Sequence, residues 1–228
     1  MGRYWGLLFL LPGLVLAEPP YSGTISIDSD IITTADPTTF STIQYTGTGT
    51  RTMFDRRVND WVTVDAFLFD VTFDDGLSTE VQVNPEFISS DAAAIPATKY
   101  ATEIGRIPTA LRADMQTMWI HKGNEAFGGG NNNVLIHTEQ ADAYEADGIL
   151  HETFVHEAAH TSIDATHDSS VEWLAAQGSD PDFISTYARD NPNREDIAES
   201  MLPYLAVRYR ADRISADMKT TIEETMPA

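Results

Sequence analysis

The chain has 228 residues, with 14 Lys and Arg against 35 Asp and Glu, and a formal charge of −21. Such an acidic chain would repel phosphates, which argues against a nucleic-acid partner. Cysteine is absent, so disulfides and thiolate metal sites are excluded, and any metal ligands must be His, Asp or Glu.

Residues 1–17 read as a secretory signal peptide. Arg3 gives a basic start, an apolar run extends from Trp5 to Leu16, and Val15 and Ala17 are the small residues that a signal peptidase reads. The run is shorter than the roughly 20 residues that a membrane span requires, and Glu18-Pro19-Pro20 ends it. The sequence therefore predicts cleavage after Ala17, a secreted product and no stable membrane insertion. The remainder is long enough for one domain with a sizeable core.

Residues 18–90 read as a β-rich part. Thr24-Ile25-Ser26-Ile27 alternates like a short strand, and Gly47-Thr48-Gly49-Thr50 looks like a turn-like break. Trp61–Val71 is a long strand candidate. Asp74-Asp75-Gly76 signals a hairpin turn that returns along Thr79–Val83, so Gln44–Phe87 reads as an antiparallel sheet.

Residues 91–228 carry most of the helical signal. Ala92–Ile104 and Thr109–Met115 have helical spacing. Thr117–His121 and Asn133–His137 read as short strands, joined through a glycine and asparagine loop, Phe127–Asn133. Four further helices are expected over Asp147–Ile163, Ser169–Gln177 (capped by Asp168 or Ser169), Asp182–Arg189 and Ser215–Met226. A longer one, Asn193–Arg210, is interrupted at Pro203. Strands first and helices later predict an α+β fold.

The chemistry concentrates in His156-Glu157-Ala158-Ala159-His160. Helical residues four apart share one face, so His156 and His160 can aim two imidazoles at one ion, with Glu157 beside them. Zn2+ with such ligands polarises a carbonyl and acidifies water, and the adjacent carboxylate can accept the proton and return it to a leaving amine. A third ligand is needed. His167 lies seven residues beyond His160, with no glycine between them to turn the chain back. Glu195 and Glu199 stand four apart on a separate helix that also carries Ile197, Ala198, Met201 and Leu202. One of these acids could ligate while the other orients a histidine.

His156–His160, then Phe183-Ile184-Ser185-Thr186-Tyr187-Ala188, then Glu195-Asp196-Ile197-Ala198-Glu199 together resemble the lethal-factor-like gluzincins. From about Arg51 to Ser215 the chain is also similar to secreted proteins classed as zinc metallopeptidases. The resemblance implies a zincin-like domain with His156, His160 and Glu195 on Zn2+. It further implies Glu199 and Asp164 behind the ligands, Glu157 as general base and Tyr187 as oxyanion donor. Two spacings are one residue longer than in the family: Tyr187 to Glu195, and His160 to Asp164. The expected substrate is a peptide or protein, with Val134–His137 as the strand lining the cleft. A non-catalytic secreted module with structural zinc is the alternative, against which an intact Glu157 argues.

Overall fold

The computed structural model describes residues 18–227; the expected signal peptide, 1–17, lies outside them. The strands are β1 (Phe40–Asp55), β2 (Asp60–Phe73), β3 (Ser78–Val83), β4 (Thr117–His121), β5 (Gly128–Gly130) and β6 (Asn133–His137). They form one sheet in the order β1-β2-β3-β4-β6-β5. β1, β2 and β3 pair antiparallel, β3-β4 and β4-β6 parallel, and β5 antiparallel to β6. The sheet therefore runs across residue 90, joining the β-rich part to the helical one.

The helices are α1 (Ser90–Ile104), α2 (Thr109–Arg112), α3 (Thr138–Ala146), α4 (Leu150–Ser162), α5 (Asp164–His167), α6 (Val171–Ser179), α7 (Thr186–Asp190), α8 (Asp196–Tyr209) and α9 (Ala216–Thr225). The architecture is α+β. One face of the sheet, with Val81, Val83, Met118, Ile120, Val134 and Ile136, forms the main core with apolar residues of α1, α4 and α8. Phe154 of α4 sits at its centre, with ring centroids 5.4 Å from Phe127 and 6.4 Å from Tyr100. The far end of the β1-β2 hairpin reaches across the other face, where Trp61 meets Trp119 edge-on and Arg57 pairs with Glu86.

Several expected elements differ from those observed. Thr24–Ile27 is a turn, closed by the Ile27 N–H on the Thr24 carbonyl. Gly47–Thr50 lies inside β1 and pairs with β2; a register shift just before it leaves Thr46 as the extra residue, with Gly47 at φ 119° beside it. Phe127–Asn133 is only partly loop, since Gly128–Gly130 forms the edge strand β5. This makes Val134–His137 an interior strand between β4 and β5, so it is not the strand that faces a cleft.

Helix starts move to the residues that can cap them. Ser170 caps α6, in place of Asp168 or Ser169, and Ser185 caps α7, three residues later than the expected start. α8 continues through Pro203.

Candidate metal centre

α4 is buried nearly all round. Within it, only Glu157 and His160 reach partial exposure. β5 passes directly over this stretch: a side chain at Gly129 would collide with the backbone of Glu157. Only glycine lets the sheet edge approach the helix so closely.

One turn of α4 places His156 and His160 with their Nε2 atoms 3.3 Å apart. Glu195, at the N-cap of α8, brings Oε2 to 3.2 Å from His160 Nε2 and 3.5 Å from His156 Nε2. A tetrahedral zinc with bonds of ~2.0–2.1 Å would separate its ligand atoms by roughly 3.3–3.4 Å. These three atoms already stand at that spacing. Among the described residues they are the group of His and acidic side chains that could hold an ion.

The outer ring nitrogen of His160 assigns its tautomer, whereas His156 Nδ1 is buried without a hydrogen bond. His160 Nδ1 lies 2.6 Å from Asp164 Oδ2 and must carry the hydrogen. His156 Nδ1 faces Glu199 Oε1 at 3.5 Å. With hydrogens on both outer nitrogens, both Nε2 atoms point lone pairs at each other and at a carboxylate. Such a trio repels itself unless a proton or a cation sits among it. The titration of His160 expresses the same demand. Burial opposes its charge, but Asp164 and Glu195 outweigh burial and push it up to about 10. Two imidazoles and a carboxylate suit a zinc site of the catalytic type, so the residues fit the ion that the sequence implies.

The acids around the ligands differ by environment. Burial works to raise Glu195, yet the imidazoles of His156 and His160, when protonated, hold it well below the usual carboxylate range. Burial raises Glu199 and outweighs the Ser185 hydroxyl, which donates to its Oε2 at 2.6 Å. Burial also raises Glu157, against the pull of His156 and His160. A raised carboxyl beside the ligands is suited to exchanging a proton.

Tyr187 of α7 is 44% exposed; burial first, and then the charge of Glu195, push its phenol up. The structure thus gathers His156, His160 and Glu195, sets Asp164 and Glu199 against the outer nitrogens, and puts Tyr187 alongside. His167 is exposed and outside the cluster. It lines instead a cavity of about 800 Å³ on the outer side of α8, with Trp173, Phe183 and Met201.

Three residues of the neighbourhood are given no role at the site by the sequence reading. Ser185 is fully buried between Glu199 and the α7 amides; its cap position was the available clue. Arg56, at the hairpin tip, acts electrostatically on Glu157 and lies beside Gly128. Gly129 makes the close approach to α4. The last two depend on long-range folding and carry no local signal. The chain matches no protein-family model, no curated protein and no solved structure.

Proposed function

We propose that this chain is an exported zinc-dependent peptidase of the zincin type. The observation that carries the reading is the convergence of His156 Nε2, His160 Nε2 and Glu195 Oε2 at 3.2–3.5 Å beside Glu157. His156, His160 and Glu195 would hold the zinc, which supplies Lewis acidity toward water and the scissile carbonyl.

The chain's own residues do the rest. Glu157 accepts a proton from the attacking water as the water oxygen bonds to the peptide carbonyl carbon. It then returns that proton to the amine as the C–N bond breaks. Tyr187 donates its phenolic hydrogen to the oxygen on which charge develops. Asp164 holds the His160 ring in the tautomer that leaves Nε2 free, and Glu199 stands behind His156. β5 is the sheet's edge, so its outer backbone groups can pair with an extended peptide laid beside Glu157.

Metal analysis of purified protein should find one zinc per chain, and a peptide library should be cleaved. Glu157→Gln should keep the metal and the fold while lowering turnover by about 10²–10⁴-fold. Peptide cleavage by Glu157→Gln at the native rate would sink the proton-transfer role. A metal-bound, folded chain that cleaves nothing would favour the structural-zinc alternative.

A further inference from the structure

α7 is too short to be stable alone, yet it carries Tyr187. The amides of its first turn, Thr186, Tyr187 and Ala188, have no partners within the helix. Ala188 N–H donates to the Ser185 hydroxyl at 3.0 Å. The other two reach a segment more than 160 residues away. Thr186 N–H donates to the Tyr21 carbonyl at 2.9 Å and Tyr187 N–H to the Ser22 carbonyl at 3.2 Å.

The same segment makes further ties. Tyr21 bridges Ser185 in parallel, the Thr186 hydroxyl donates to the Ser22 carbonyl at 3.2 Å, and Arg189 pairs with Glu18 at 2.6 Å. Gly23 lies against the Glu199 carboxylate. The segment therefore touches both the helix of Tyr187 and the acid behind His156. The chain just downstream is anchored separately: Asp30 N–H donates to the Gly148 carbonyl, and Ile32 N–H to the buried Glu152.

We propose that Glu18–Thr24 is a positioning strap that sets Tyr187 and Glu199 in the candidate site, so that the site is complete only when the strap is docked. The inference rests on the peptidase reading for its kinetic consequence, but not for its structural one. Its residues act through Tyr187 and Glu199 and need not touch substrate. They directly follow the expected cleavage point after Ala17, so export processing there would make the strap the new amino terminus.

The test is deletion of Glu18–Ser22 from the full chain. His156, His160 and Glu195 are untouched, so one zinc per chain and the Co2+ absorption spectrum of the loaded protein should be retained. The amides of Thr186 and Tyr187 should exchange about 100-fold faster, with those of α4 and α8 still protected. kcat should fall about 10–100-fold with KM within about twofold of the intact chain. Adding Tyr187→Phe to the deletion should cost little more, although it slows the intact chain by a similar factor. The free peptide Glu-Pro-Pro-Tyr-Ser-Gly should restore protection at Thr186 and Tyr187.

Unchanged exchange at those two amides would overturn the strap, as would undiminished kcat in a metal-loaded deletion. If the deletion does not fold, Arg189→Ala with Thr186→Val removes two side-chain ties and is judged by the same amides. An intact chain that binds metal but cleaves no peptide defeats the peptidase reading alone, because exchange still decides the strap.

Discussion

At Gly129, atomic space sets a sharper limit than composition. An added methyl would meet the carbonyl oxygen and carbon of Glu157, which are backbone atoms of a largely buried helix. Neither can retreat without moving α4 and with it His156 and His160. Gly129→Ala should therefore destabilise by about 2–3 kcal/mol, near the upper end for overpacking, and weaken metal retention. Gly178 in α6 is a control of opposite sign. Nothing lies within 4 Å of its added Cβ and its φ is not positive. Gly178→Ala should stabilise by about 0.5–1 kcal/mol through helix propensity alone. Urea titration of both variants checks the pair, and a harmless Gly129→Ala would mean that β5 does not press on α4.

At the scale of elements, the candidate centre joins two helices that the core already packs together. α4 and α8 meet through Ala158, Ala159, Ala198 and Leu202, all fully buried. His156 and His160 come from α4, Glu195 from the start of α8. An ion held by all three ties the helices in the native state and has no comparable site in the unfolded chain. Zinc at about 100 times its Kd should then add about 2.7 kcal/mol, raising Tm by about 5–10 °C for a domain of this size. A chelator should reverse the shift, and His160→Ala should abolish it. A Tm indifferent to zinc in the native chain would count against the ligand set.

The same elements show what sequence can carry. His156, Glu157 and His160 are legible because four residues on a helix fix their relation locally. The hairpin at Asp74-Asp75-Gly76 is legible for the same reason: Gly76 at φ 88° is the turn residue that the pattern requires. Glu195 was only one of two acids on a helix face until a family resemblance was added, since nothing local says which one reaches across. β5 escaped notice because three glycines bear no hydrophobic pattern, although they form the strand nearest Glu157. The docking of Tyr21 and Ser22 on α7 uses main-chain groups of that segment, met by two amides and the Thr186 hydroxyl, and leaves no hydrophobic pattern to read.

Across the whole molecule, charge sets two opposing trends with pH. A formal charge of −21 makes the compact state repel itself near neutrality, so mild acidification should first relieve it. Asp36 works the other way. It sits 7% exposed, where Arg213 donates to both its carboxylate oxygens at 2.5 and 2.8 Å and Arg210 lies 3.6 Å away. This joins the irregular segment before β1 to the chain after α8. The Arg213 hydrogen bonds outweigh burial and hold Asp36 at about 2, against an ordinary 3.8. A carboxylate depressed by folding contributes its stability above the unfolded value. That contribution is lost as pH falls from about 3.8 through about 2. The gap between the two values corresponds to about 2.5 kcal/mol at most. Asp36→Asn should lower stability at pH 7 by about 2 kcal/mol and flatten the loss between pH 4 and 2. Denaturant titrations in the presence of a chelator keep proton competition at His156, His160 and Glu195 out of the measurement. A variant that loses stability below pH 4 as steeply as the native chain would show that other acids carry the acid transition. Asp55, held at about 2 chiefly by its hydrogen bond from Arg57, would then be the next to replace.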